Sequence, residues 1–512
     1  MNHLVILPVL LPLVAGSLLL LAGRRGEGLR RAVGLGAAIL LLPIALVLMA
    51  RVADGTHLVY SLGAWPVPFG IVLVADRLAA LMLLLTALVA IASLLYAGRD
   101  CGPPGSQFHA LFQFQLLGVN GAFLTGDLFN LFVFFEVLLI AFYALLLDGL
   151  GPQRVAAAVH VVVLNLIGSA LFLFAVGTLY GVTGTLNLAD LARVIPRLGP
   201  DTAPIARSGA LLLLGVFALK AALLPLGFWL PRAYAAATGA TAALFAVLTK
   251  VGVYSILRVF PLVFGPGAGE LADVATPWVL PAALATLAFG ALGVLGSRTL
   301  RTAAGWLVVY SVGTLLVAVG LFTEAGYAAA VYYTAHSTLA SAALFLVADL
   351  VARQRAVAGD RLEVVDSMPH AALLGTLFLV TAITIAGLPP SSGFVGKLLV
   401  LEAARGSAGA VVTWSVVLVA ALLVIVAIAR AGSALFWRTS PEAPVAIVPP
   451  PARGAVAAVV VLLACLVGMV AWGGAATTYA WSTARQIADP AGYVGAVLGT
   501  HDRDREHRRR LR

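Results

Sequence analysis

Long apolar stretches alternate with short, arginine-bearing connections along this chain, and that alternation limits its fold more than any single motif does. A helix needs about 20 apolar residues to cross a hydrocarbon core about 30 Å thick. Fourteen candidate stretches lie near 4–22, 32–50, 78–97, 107–124, 128–147, 155–180, 208–229, 239–260, 278–296, 303–322, 327–350, 370–404, 411–430 and 454–474. Hydrophobic residues make up 62% of the chain and charged residues 11%, against roughly 25% charged in soluble domains. These features specify an all-α polytopic membrane protein of about 14 transmembrane helices, since a bilayer forces each crossing to satisfy its own backbone hydrogen bonds. The first stretch, LVILPVLLPLVAGSLLLLA, reads as a retained span, being too long for a signal peptide and lacking a small-residue cleavage site.

The net charge of +10 would suggest nucleic acid in a soluble protein. Here the arginines flank spans, where they set orientation, so no nucleic acid is expected. Inner loops bearing Arg24, Arg25, Arg30 and Arg31 predict an outside N-terminus. The tail HDRDREHRRRLR opposes this, because fourteen spans would leave it outside. Cys101 and Cys465 lie far apart without a partner motif and are expected to serve packing.

Connections are short except for 51–76, 181–207 and 431–453, which predicts one bundle without an inserted soluble domain. Two stretches should be broken inside the bilayer. The seventh carries a proline five residues after its lysine (LKAALLPLGFW), and the twelfth contains Gly387, Pro389, Pro390 and Gly393 before Lys397. Proline removes a backbone donor and clashes with the preceding turn. Interrupted spans at matching places in two halves point to an inverted-repeat transporter. Two inverted five-helix repeats with broken helices 7 and 12 follow. The chain divides as an N-terminal three-helix segment (1–106), a first repeat (107–260), a second repeat (278–436), and a C-terminal helix with basic tail (437–512).

Of the 32 basic residues only Lys220, Lys250 and Lys397 are lysines, and each lies inside an apolar stretch. Lysine can release its proton when desolvated, whereas arginine effectively cannot. That asymmetry indicates proton handling within the membrane. Glu136 is the acidic residue of matching depth, nine positions after Asp127 and so about 13.5 Å along its helix. Lys220 and Lys250 lie roughly 16 Å into theirs. Asp127, Asp148, Asp349 and Glu402 sit near span ends, within reach of water.

At about 4 Å, a Glu136–Lys220 pair would interact by about 4 kcal/mol at an effective dielectric of about 20. Lys250 has no comparably placed carboxylate, and Lys397 stands beside a helix break as an exit or entry group. The alternative is a structural ion pair, with the other lysines reaching interfacial water along their stems. His336, with Thr334, Ser337, Thr338 and Ser341 nearby, is either a proton relay or a packing residue. His160 shares its helix with Asn165 and Ser169 and raises the same question. Gln113, Gln115 and Asn120 suit interhelical hydrogen bonding. A sodium or calcium cage needs several oxygen ligands, and no Walker loop, dinucleotide fingerprint, haem-attachment motif or zinc-ligand spacing occurs. Neither cofactor nor metal site is therefore expected, and an ion gradient or a partner protein must supply the energy.

The segments PVLLPLVAG, WPVPFGIVLVADRL, GDLFNLFVFFEVLL, LYGVTGTLNLADL, LKAALLPLGFWLP, VLTKVGVYSILRVF, VYYTAHSTLASAALFLVADL and AGLPPSSGFVGKLLVLEAA closely resemble the D subunits of the Mrp-type (Pha or Mnh) multisubunit monovalent cation/proton antiporters. The likeness covers most of residues 1–405. Those subunits are similar to the proton-pumping antiporter-like subunits of respiratory complex I. The resemblance implies a functional glutamate at Glu136, its partner lysine at Lys220, a central lysine at Lys250 and a terminal lysine at Lys397. It also implies other antiporter membrane subunits as partners, protons and monovalent cations as cargo, and a multi-pass place in a bacterial inner membrane. Two departures stand out: His160 occupies a place where many relatives carry lysine, and the eleventh helix reads HSTLAS where complex I subunits often carry lysine or a second histidine. The rival readings are a proton-pumping subunit of complex I or an energy-converting hydrogenase, and a passive scaffold held by buried charges.

Overall fold

A computed structural model describes residues 3–23, 26–65, 67–98, 107–148, 151–355, 358–363, 365–366, 368–440 and 448–499. Arg24, Arg25, Cys101 and the tail 501–512 lie outside the described residues.

All fourteen apolar stretches fall on helix. The N-terminal segment comprises α1 (Leu7–Leu21), α2 (Glu27–Arg51) and α3 (Arg77–Ala97). It is followed by α4 (Phe108–Leu124), α5 (Leu128–Leu147), α6 (Pro152–Thr183), the short α7 (Leu188–Val194), α8 (Ala203–Ala221), α9 (Trp229–Ala236), α10 (Gly239–Phe245) and α11 (Leu248–Val263). Then come α12 (Thr276–Leu295), α13 (Leu300–Val319), α14 (Glu324–Gln354), α15 (Ala371–Ala386), α16 (Ser392–Ala404), α17 (Ala410–Gly432), α18 (Arg453–Ala471) and α19 (Gly473–Ala488). Among the described residues, 11 helices, counting 239–263 as one, are long and apolar enough to cross a membrane, while α1 and α15 are shorter apolar helices.

Burial sorts these helices into layers. Every residue of α11 is buried, and α14 is buried along nearly its whole length. The surrounding helices α2, α6, α12, α17 and α18 turn apolar side chains outward, among them Leu40, Leu166, Phe174, Leu422 and Val467. This is the pattern of a bundle solvated by lipid.

The predicted breaks are present. Helix α8 ends at Ala222 in the left-handed region (φ 62°), and the freed Leu224 N–H donates to Thr286 Oγ1 of α12 at 2.8 Å. Helix α15 ends at Gly387 (φ 71°), after which Ser391 caps α16 through its hydroxyl. Non-helical backbone at this depth survives because protein groups satisfy it.

Three features depart from the sequence reading. The eighth stretch is interrupted at Ala246–Val247, just before Lys250, with neither glycine nor proline at the break. Its cause is tertiary: the Phe245 carbonyl accepts a 2.7 Å hydrogen bond from the buried Tyr234 hydroxyl of α9. The last crossing is longer than 454–474. Helices α18 and α19 together run beside α14 from Gln354, whose Nε2 donates to Pro449 O, to Glu324, which pairs with Arg485 at 3.0 Å. Finally, the 51–76 connection is not wholly irregular. Its β-branched segments form an antiparallel hairpin, β1 (Leu58–Ser61) with β2 (Val72–Ala75), and Gly126 N–H donates to the Val72 carbonyl.

Candidate functional site

Glu136 and Lys220 both approach α6, but they do not meet at 4 Å as the sequence reading supposes. Ser169 donates a short hydrogen bond to Glu136 Oε1. One turn away on the same helix, Asn165 Oδ1 accepts from Lys220 Nζ at 3.1 Å. Among the described residues no ion pair joins the two charges, although Glu136 is near enough for its charge to act on Lys220. The lysine also lies 5.9 Å from the Phe135 ring centroid. Each charge is bonded to a neutral side chain of α6 rather than to the other. Asn165 and Ser169, read from sequence as company for His160, are the residues that hold them.

Glycines set these approaches. A Cβ on Gly168 would lie 3.8 Å from Lys220 Nζ and collide with Leu219. A Cβ on Gly252 of α11 would meet the Lys220 carbonyl carbon at 2.8 Å. Backbone contact there holds the Lys250 helix directly against the break after Lys220.

Lys250 is 1% exposed, and its Nζ has no hydrogen-bond partner among the described residues. A buried ammonium left unpaired is costly, so this group is the most exceptional in the line. His336 is buried within electrostatic range of both Lys250 and Lys397. Its Nδ1 lies 3.0 Å from Ser392 Oγ of α16, and a Cβ on Gly393 would approach its Nε2 at 3.1 Å. The nearby hydroxyls do not serve it: Thr334, Ser337 and Thr338 donate to α14 backbone carbonyls.

Lys397 reaches back across the second break. Its Nζ donates to the Ala386 carbonyl at 2.6 Å and the Ile385 carbonyl at 3.4 Å, and it lies 5.3 Å from the Tyr310 ring centroid. Lys220 belongs to the last turn of α8. Each broken span thus sets an ammonium at the C-terminal, electronegative end of a half-helix.

His160 stands apart. It is exposed and lines a groove of about 490 Å³ with Arg232, Arg301 and Asp360. Of the polar residues in α4, Gln113 donates to the Gly34 carbonyl and Asn120 to the Pro8 carbonyl, as expected. Gln115 has no partner for either side-chain atom among the described residues.

Two charged clusters escape a reading of the sequence alone. Asp349 is not within reach of water: it is 4% exposed and accepts from Tyr96, Arg353 and Arg301. Near the opposite face Asp76 caps α3 through Ala79 N–H and pairs with Arg258 at 2.6 and 2.7 Å. Tyr254 accepts from Arg258 Nε and donates to the Phe123 carbonyl. Asp127 caps α5 at Asn130 N–H, whereas Glu402 is exposed and paired with Arg405 at 3.4 Å.

Known proteins share this architecture and much of the sequence. The family described as "NADH:quinone oxidoreductase/Mrp antiporter, TM" matches residues 125–425. A probable K⁺/H⁺ antiporter D subunit of Rhizobium meliloti is 40% identical, over 97% of this chain and 98% of its own. The Na⁺/H⁺ antiporter D subunit of Alkalihalophilus pseudofirmus is 36% identical over 97% of this chain and 100% of its own. Among solved structures, a chain of the Mrp complex from Dietzia sp. DQ12-45-1b superimposes with a TM-score of 0.86 at 28% identity, over 97% of this chain and 100% of that one.

Proposed function

Because the chain belongs to the membrane-subunit family shared by NADH:quinone oxidoreductase and Mrp antiporters, and within it to the antiporter D subunits, we propose that its buried lysines carry the proton in exchange for sodium or potassium. The chain is a subunit of a multisubunit cation/proton antiporter, in our reading one of a bacterial cell membrane. Other membrane subunits of the same assembly are its partners. The observation that carries the site assignment is the line of groups at the broken helices. Glu136 and Lys220 are held on one helix, by Ser169 and Asn165 respectively, Lys250 is buried without a hydrogen-bond partner among the described residues, and the charges of Lys250 and Lys397 both act on His336.

Each member has a distinct part. Lys220 is the switch, because its hydrogen-bond partner Asn165 is a neutral side chain, so that contact can be made and broken without separating an ion pair. Lys250 is the central carrier, held without a carboxylate that would fix its charge. Lys397 exchanges a proton with one membrane face and is held by backbone carbonyls whose charge does not change during turnover. His336 joins the last two.

The test compares Glu136→Gln, Lys220→Met and the double variant in vesicles containing the assembled antiporter. A relay loses exchange in all three. A scaffold held by buried charges would instead leave the double variant closer to wild type than either single one, and that outcome would contradict the proposal. The redox-pump reading is separated by absorbance: flavin or iron–sulfur bands in the purified complex would favour it.

A further inference from the structure

A groove of about 900 Å³ lies away from the charged line, between the end of α12, the end of α17 and the π-helical turn Ser433–Trp437. Arg298, Arg430 and Arg438 line it, with Glu363 as its acidic residue. All three arginines are exposed, and among the described residues none has an ion pair or a side-chain hydrogen bond. Three other arginines near this face are occupied. Arg154 donates to the Asp148 and Ala236 carbonyls, Arg301 to Asp349, and Arg355 to three carbonyls of its own loop. The fold therefore gathers three uncommitted guanidinium groups around one opening. Against the single Glu363, they leave the lining with a net charge of +2.

Below the arginines the wall becomes apolar. A crevice of about 20 Å³ shares Val294, Leu362, Ala427 and Ala431 with the groove, and the outer surfaces of α12 and α17 leading to it expose Leu292, Leu422 and Val426. Trp437, 71% exposed, projects beside Arg438, and exposed tryptophans mark the headgroup level of a bilayer. A cationic rim at headgroup level above an exposed apolar surface matches a molecule with an anionic head and a hydrocarbon tail.

We propose that this groove binds an anionic phospholipid. Its phosphodiester sits among Arg298, Arg430 and Arg438, where planar guanidinium forks donate to paired phosphate oxygens. Its acyl chains lie on the lipid-facing surface of α12 and α17, along Leu292, Leu422 and Val426. The positive lining selects against a zwitterionic lipid, which brings its own ammonium into the same rim.

The experiment uses the intact complex in bilayers carrying photoactivatable phosphatidylglycerol or phosphatidylcholine, with labelled peptides mapped by mass spectrometry. Phosphatidylglycerol should label the segments around 294–298 and 427–438, and labelling should fall roughly fivefold for each arginine changed to glutamine. Arg298→Lys, Arg430→Lys and Arg438→Lys keep the charge but lose the fork and should fall between wild type and the glutamine variants, and added inorganic phosphate should leave the labelling unchanged. Single glutamine variants, checked for assembly by size exclusion, keep the comparison interpretable if the triple variant does not assemble. Equal labelling by phosphatidylcholine, no loss in the glutamine variants, displacement by inorganic phosphate, or a neighbouring subunit cross-linked in the lipid's place would each overturn the proposal.

Discussion

Replacing Asp76 with Asn gives the clearest energetic prediction for the fold itself. Asp76 and Arg258 form two hydrogen bonds, at 2.6 and 2.7 Å, between groups 1% and 9% exposed. Asparagine keeps an oxygen to accept from Ala79 N–H, so the α3 cap survives, while the charge and the Oδ2 acceptor for Arg258 Nη1 are removed. The guanidinium is then stranded where water does not reach, which costs about 3–5 kcal/mol. Arg258→Met strands the carboxylate at a similar cost. The double variant removes both charges and should fall short of the summed losses by up to about 3 kcal/mol. Denaturant unfolding of the purified complex, followed by tryptophan fluorescence, measures the three differences. Strictly additive losses would refute the reasoning, because they would mean that neither charge depends on the other. The Glu136–Lys220 arrangement should behave differently, since its charges bond to Ser169 and Asn165 rather than to each other and removing both restores nothing.

Three further substitutions probe the site. Gly387→Ala should slow exchange in an assembled complex, because φ is 71° there and the new methyl would come 2.9 Å from Lys397 Nζ; the backbone strain alone is about 1–2 kcal/mol, and wild-type exchange in vesicles would count against it. Gly252→Val should destabilise by about 1–3 kcal/mol through overpacking and separate α11 from the break in α8, which thermal unfolding together with exchange rate would register. Asn165→Leu removes the hydrogen bond to Lys220, so exchange should drop while assembly on size exclusion is unchanged, and Asn165→Gln should recover part of the activity.

Depth and interruption are legible in the sequence because they depend on local rules. A run of twenty apolar residues fixes where a span lies, and the glycine and proline around Lys397 fix where it must break. Pairing across helices depends on how each helix is rotated, which a single sequence does not encode locally. Ser169 and Asn165 are visible as polar residues on one helix, yet only the packing of α6 against both α5 and α8 assigns one to Glu136 and the other to Lys220. The break before Lys250 has no local marker either, since its cause is the Tyr234 hydroxyl on another helix. Asp76 and Arg258 look like residues at span ends, and 182 positions of sequence separate them. Asp349 looks reachable by water for the same reason, although Tyr96 and Arg301 seal it from helices distant in sequence.

The central claim is that a proton passes through Lys250, and the most direct measurement is cation-driven proton movement in vesicles containing the Lys250→Ala antiporter. A pH-sensitive dye reports the exchange, and size exclusion confirms that the complex is assembled. Lys250 Nζ has no protein partner to strand among the described residues, so removing it should leave assembly intact and abolish exchange. An assembled variant that exchanges at the wild-type rate would contradict the account.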